Sequence, residues 1–219
     1  MFKDRYEAWR VLASYIEDYI NKNWIDKKDV IIWFLPRWWL PIAYEIYKKL
    51  WLPIVSIFVK KLAPFDNPEY AFWAIAPDGT YLVDKNYMYS LGVDENILND
   101  IITATLRKLQ SYKNKYSLWD INIVKDKTVF LVDDGIATGF TAVVAGKYLK
   151  KLGARKVILA VPVCPLYINK MVIDIFDDII CINSVTNFSA VSQWYLDFPQ
   201  VEDDEYFELI KNIKINKNY

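Results

Sequence analysis

The stretch on which the reading turns is Val129-Phe130-Leu131-Val132-Asp133-Asp134-Gly135-Ile136-Ala137-Thr138-Gly139-Phe140-Thr141. A β-branched and aromatic run from Thr128 to Val132 passes directly into two acids. A Gly/Thr loop follows and opens helical spacing from about Thr141 to Leu152, which Gly153 stops. In open α/β sheets ligands bind at such carboxyl ends of strands. Backbone N–H groups from about Ala137 to Thr141, Phe140 included, are expected to converge at a helix N-terminus, where unsatisfied donors and the helix dipole favour a phosphate. Thr138 and Thr141 add hydroxyl donors. Gly135 and Gly139 are expected to supply positive φ angles and close backbone approach. Asp133 and Asp134 would repel a bare phosphate monoester, so something hydroxylated or cationic belongs between them. A ribose diol with magnesium fits that requirement. Adjacent strand residues point to opposite sides, so the two acids are expected to have unequal roles, one toward the sugar and the other toward metal-bound water or backbone.

Working outward, apolar residues at Leu12, Ile16, Tyr19 and Ile20 predict an amphipathic helix from about Asp4 to Asn23. Val30 to Leu35, a helix over Leu40 to Leu50 and Ile54 to Val59 read as one βαβ unit, with Pro36 ending the first run. Tyr70 to Ala76 and Tyr81 to Val83 flank Pro77-Asp78-Gly79-Thr80 and predict a small hairpin, either a mobile flap over a ligand or an ordinary surface hairpin. Asp94 to Lys115 returns to helical spacing. Val157 to Val161, a helix over Ile168 to Phe176 and Ile179 to Ile182 complete a second βαβ unit. Strands alternating with helices imply an α/β fold, a Rossmann-like parallel sheet covered by helices on both faces. A further helix is predicted from about Asp203 to Ile213. No linker or repeat divides the 219 residues, so a single domain over 1–219 is expected.

Composition narrows the chemistry. The hydrophobic fraction of 54% beside 25% charged residues is that of a folded globular chain. Its 27 basic and 27 acidic side chains cancel, which argues against nucleic acid and anionic membranes as partners and requires any anion to be bound locally. The chain has no histidine, so Ser-His or Cys-His nucleophiles, His-ligated zinc and imidazole acid-base catalysis are excluded. The greasy stretch from Trp38 to Val59 carries Glu45, Lys48 and Lys49, and reads as buried rather than membrane-spanning. With no signal-type apolar run at the N-terminus, a cytoplasmic protein is expected. Cys164 and Cys181 match no metal or redox spacing, and so sparse a pair suggests a reducing cytosol, with a single disulfide as the alternative.

The run Val129 to Thr141 resembles the phosphoribosyl pyrophosphate (PRPP) signature of type I phosphoribosyltransferases. Phe2-Lys3-Asp4-Arg5, Leu35-Pro36-Arg37, Lys60-Lys61-Leu62, Asn67-Pro68-Glu69 and Trp194-Tyr195-Leu196-Asp197-Phe198-Pro199 resemble a subgroup of that family, over nearly the whole chain. The resemblance implies that Asp133 and Asp134 address the ribose hydroxyls and Mg2+. It implies that Gly135 and Ala137 to Thr141 hold the 5-phosphate, and that Pro36, Arg37, Trp38 and Trp39 lie on a pyrophosphate loop. Arg37, Lys60 and Lys61 become cationic helpers for the departing pyrophosphate, although the lysines could equally solvate a loop. The implied reaction transfers the 5-phosphoribosyl group of PRPP to a nitrogenous acceptor. A hood from the N-terminal segment and residues of about 183–219 is implied as well. A homodimer is left open.

One departure is systematic. The chain has nine Trp and six Gly, where average usage of ~7% would give roughly 15 glycines. Trp38-Trp39 stands where the resembling subgroup carries Gly-Gly; Trp9, Trp33, Trp51 and Trp73 also fall on its Gly positions. Trp24 and Trp119 occupy loops where Gly would be natural, and Trp194 alone looks native. Two readings follow. UGA codons meaning glycine have been written as tryptophan; or the tryptophans are real, they obstruct the pyrophosphate loop, and the chain is a PRPP-binding sensor without turnover.

Two other clusters have bland readings. The aromatic segment from Asn187 to Tyr195 could stack on an acceptor base or pack a core. The acids Glu202, Asp203, Asp204 and Glu205 complement the dipole of a helix start.

Overall fold

The computed structural model describes residues 1–35, 40–56, 58–62, 73–116 and 121–198. The expectations for Pro36, Arg37, Trp38, Trp39, Asn67-Pro68-Glu69, Trp119 and everything from Pro199 onward, including the helix from Asp203 and the acid cluster, lie outside the described residues.

The chain opens with α1 (Arg5–Lys22), started by Asp4, whose side chain accepts from the Glu7 N–H at 2.7 Å. Its inward face carries Ala8, Leu12, Ile16 and Ile20, all buried, at the spacing the sequence shows. Then follow β1 (Val30–Phe34), α2 (Leu40–Leu50) and β2 (Ile54–Ser56). A small antiparallel sheet comes next, β3 (Lys60–Leu62), β4 (Trp73–Ile75) and β5 (Tyr81–Val83), in the order β3-β4-β5. After α3 (Lys85–Ser90) and α4 (Glu95–Tyr116) the chain returns as β6 (Thr128–Val132), α5 (Phe140–Lys151), β7 (Lys156–Pro165), α6 (Lys170–Ile173) and β8 (Asp178–Val185).

The main sheet has five parallel strands in the order β2-β1-β6-β7-β8. Side chains along it alternate between two cores with the period of two that strands impose. Ile32, Phe34, Phe130 and Val132 pack with α1, whereas Ile31, Val129, Leu131 and Leu159 pack with α5. Phe130 also meets Tyr19 edge-on at 5.7 Å. The fold is therefore α/β and Rossmann-like, with helices on both faces. Strand order reverses between β1 and β6, and the loops leaving these neighbours set the site.

Several expectations are corrected. The hairpin forms around Gly79 (φ 84), but a third strand, β3, joins it, so Lys60 and Lys61 sit on a strand rather than a loop. α3 lacked a long enough apolar pattern to be foreseen. β7 runs past Pro162, because Val163 to Pro165 resume pairing with Asn183 to Val185 on β8. The helix expected over Ile168 to Phe176 shrinks to α6, which Asn169 caps and which buries Val172 alone. Cys164 and Cys181 are not free thiols: neighbouring strands β7 and β8 bring them together as a disulfide. Among the described residues, no helix is long and apolar enough to cross a membrane.

Phe130 is fully buried on the central strand. Phe130→Ala is expected to cost about 3–5 kcal/mol, read in urea as a lower midpoint with an unchanged slope.

Candidate active site

The two acids leave β6 in opposite directions. Asp134 is 2% exposed and turns to α1, where Arg5 Nε donates to its Oδ2 at 2.6 Å and Trp9 Nε1 to its Oδ1 at 3.0 Å. The Tyr195 hydroxyl donates to the Asp134 carbonyl oxygen at 2.7 Å. The Arg5 guanidinium in turn lies over the Phe198 ring, 3.5 Å from its centroid. Asp133 is only partly buried, and its Oδ1 accepts from the Asp134 N–H at 2.8 Å.

The N-terminal segment and residues 194–198 meet at this loop. The Phe2 N–H donates to the Trp194 carbonyl at 2.8 Å, the Leu196 N–H to Phe2 at 2.8 Å and the Asp197 N–H to Lys3 at 2.9 Å. The N-terminal segment and the chain from Trp194 to Phe198 thus form a single cover over the buried side of the acid pair. Asn187 to Tyr195 serves packing in part, since Phe188, Val191 and Trp194 lie against the core.

Burial pushes the Asp134 carboxyl up to about 6, against the charge and hydrogen bond of Arg5 and the bond from Trp9. Burial, and next the neighbouring charge of Asp134, hold the Asp133 carboxyl well above the ordinary value. The Asp134 N–H, Lys61 and Arg5 oppose that rise. Lys61 lies exposed on β3 beside the equally exposed Lys60, and its charge is among the weaker influences opposing the rise at Asp133. Burial and then the charge of Asp134 raise the Tyr195 phenol, which stays a protonated donor.

Downstream, Gly139 takes φ 81 and opens α5 with no side-chain cap, so the cap residue leaves the first-turn N–H groups to other acceptors. Gly139 is crowded as well, since an added Cβ would strike Val172. Gly135 corrects the sequence reading: its φ is not positive, and an added Cβ would meet Val163 Cγ1 at 2.8 Å and Val191 Cγ1 at 3.0 Å. Strand β7 and the C-terminal cover, rather than a ligand, exclude a side chain there. Ala137, Thr138 and Thr141 are partly exposed along the loop and first turn, and Phe140 packs its ring on the α5-side core, contributing backbone only.

The Leu35 N–H donates to the Val132 carbonyl at 3.3 Å. The chain therefore enters residues 36–39 beside the point where β6 delivers Asp133. Arg5 is the residue that sequence reading missed. Its burial, and hence its need for a carboxylate partner, is visible only in the structure.

The site thus combines a parallel sheet with a crossover reversal, an acid pair at the reversal and a helix that opens from a left-handed glycine without a side-chain cap. The comparisons are more specific. Residues 93–199 match the phosphoribosyl transferase domain family. Two curated Mycobacterium tuberculosis proteins, from strains CDC 1551 and H37Rv, named as candidate phosphoribosyl transferases, are each 32% identical over 206 residues. The match takes in 94% of this chain and 45% of theirs, so the chain spans less than half the length of these relatives. A crystal structure of a protein from Thermus thermophilus superposes with a TM-score of 0.66, at 24% identity, over 96% of this chain and 97% of that one, and shares its fold. Over residues 93–199 the chain is therefore similar to a phosphoribosyl transferase domain, and its fold is that of the Thermus thermophilus protein.

Arg5→Met leaves Asp134 buried without its cation and is expected to cost about 3–5 kcal/mol. Combined with Asp134→Asn it should lose less than the sum of the two single variants, which a double-mutant cycle in urea measures. The pH dependence has a definite sign. Both acids titrate higher in the folded chain than in the unfolded one, so the folded state binds more protons between those values. Their contribution is complete below the ordinary carboxyl range and is lost as pH rises through about 6 for Asp134. Relative to the Asp133→Asn, Asp134→Asn double variant, the unaltered chain should lose unfolding free energy between about pH 4 and about pH 7.

Proposed function

We propose that the chain is a magnesium-dependent phosphoribosyltransferase that moves the 5-phosphoribosyl group of PRPP onto a nitrogenous acceptor and releases pyrophosphate. The observation that carries this reading is the loop from Asp133 to Gly139, which sets a partly exposed carboxylate and an uncapped helix start on the same turn of chain. That order suits a ribose diol at the acid and its 5-phosphate at the helix start.

The donor set fits a hard cation. Asp134 has both oxygens engaged by Arg5 and Trp9, whereas Asp133 has one oxygen engaged by a backbone N–H. Asp133 is then the acid that holds the ribose hydroxyls and magnesium, directly or through water, and Asp134 keeps it in place. Bound magnesium supplies charge neutralisation for the leaving pyrophosphate. The backbone of Ala137 to Thr141, with the Thr138 and Thr141 hydroxyls, holds the 5-phosphate. Lys61, with Lys60 and Arg37 as further cations, compensates the pyrophosphate charge.

In the step itself the acceptor nitrogen's lone pair forms the bond to C1 of the ribose. The bond from C1 to the pyrophosphate oxygen breaks and its electron pair leaves with pyrophosphate. The acceptor's surplus proton passes to solvent. Positive charge builds on the ring as the bond breaks, and the Asp133 carboxylate in its ionised form stabilises it by proximity. No histidine is needed.

Calorimetry should detect magnesium-dependent PRPP binding, and pyrophosphate should be released in the presence of one member of a panel of bases. Asp133→Asn should weaken PRPP binding by about tenfold or more, the loss of a charge-assisted contact. Absence of PRPP binding would sink the proposal. Binding without release would favour a PRPP sensor, the reading that a Trp38-Trp39 obstruction supports. Peptide mass spectrometry across Leu35 to Leu40 of natively produced protein separates the two: glycines at 38 and 39 leave bare backbone for pyrophosphate, and tryptophans favour the sensor.

A further inference from the structure

Three helices in this fold close with the same pair of backbone bonds. After α3, Gly92 donates to Tyr89 at 3.0 Å and Val93 to Met88 at 3.2 Å; after α5, Gly153 donates to Lys150 at 3.0 Å and Ala154 to Leu149 at 3.2 Å. After α1, the Trp24 N–H donates to Asn21 at 3.3 Å and the Ile25 N–H to Ile20 at 3.0 Å. This closure requires a left-handed residue one place beyond the cap, and glycine is its ordinary occupant. Gly92 has φ 73 and Gly153 φ 85, and Trp24 stands in the equivalent place at φ 52.

Trp51 repeats the conflict. It follows the last residue of α2, donates to Tyr47 at 2.8 Å and takes φ 55. Among the described residues the one other non-glycine at positive φ is Asp126, a residue type that tolerates this region because its short side chain bonds locally. An indole has no such compensation, and here burial supplies little. Trp24 is 94% exposed and Trp51 71%, the latter touching Tyr47 at 5.5 Å between ring centroids. A large apolar side chain is thus held in water on backbone that disfavours it, twice, at helix ends where the chain elsewhere uses glycine.

We infer that the natural chain carries glycine at positions 24 and 51, and that tryptophan stands there because a reassigned codon has been written with the wrong meaning. UGA differs by one base from the tryptophan codon UGG and by one base from the glycine codon GGA. A chain that decodes UGA as glycine but is written with tryptophan shows a one-directional exchange, and this one has nine Trp beside six Gly. The backbone evidence concerns positions 24 and 51 alone. Trp9 has a partner in Asp134, and the unpartnered indole N–H groups of Trp33 and Trp73 are matched by that of Trp194. It is independent of phosphoribosyl transfer and holds or fails separately from it.

The decisive experiment is peptide mass spectrometry of the protein purified from its own source, over the segments containing positions 24 and 51. Glycine at both is expected, and tryptophan at either overturns the inference. A second measurement tests the backbone argument on recombinant chain carrying tryptophan at both positions. Trp24→Gly and Trp51→Gly should each raise the thermal midpoint by about 2–4 °C, with calorimetry as the readout. A midpoint unchanged or lowered in both variants overturns it.

Discussion

The contact between Arg5 and Asp134 organises the site end of this molecule. A guanidinium from the first turn of α1 meets a carboxylate just beyond the tip of β6, 2.6 Å away, with both groups almost fully buried. Burying the two charges is costly unless each finds the other in good geometry. The pair therefore fixes where α1 sits, and with it the N-terminal segment that pairs with Trp194 to Asp197. Tyr195 closes the arrangement from the C-terminal side by donating to the Asp134 backbone. Sequence-distant pieces are thus tied to one turn of chain, and that turn delivers Asp133.

Much of the fold was legible because period-two and period-3.6 patterns are local. β6 and α2 fall on the residues the apolar pattern marked, and α1, α4 and α5 agree to within a residue or two. What local patterning missed was decided by distant partners. β3 is a strand because it pairs with β4, which Lys60-Lys61-Leu62 does not announce. The last residues of β7 are strand because β8 continues beside them, despite prolines that locally argue for an end. The disulfide likewise depends on strand adjacency, which spacing along the chain does not encode.

The candidate site shows the same division. Asp133, Asp134 and the Gly139 helix start were marked by their order in sequence, and alternation along a strand already required the acids to part. Which acid faced the core was not readable, since it depends on Arg5 lying opposite. Gly135 was expected on the grounds of a ligand, and the structure gives it a packing reason in Val163 and Val191. The same residue type at Gly139 serves both needs, a left-handed turn and close contact with Val172.

Two adjacent acids at a strand end place like charges within one residue of each other, and the fold resolves the repulsion asymmetrically. Asp134 receives a buried cation of its own. Asp133 receives one backbone N–H and the more distant influence of Lys61, and so remains the less compensated of the two. A carboxylate left in that condition beside an uncapped helix start favours a ligand that brings positive charge and hydroxyls to one end and an anion to the other. The inner acid is thereby tied into the fold, and the outer one is left with a single backbone N–H. Their adjacency lets a single buried ion pair fix the backbone whose N–H holds the outer carboxylate.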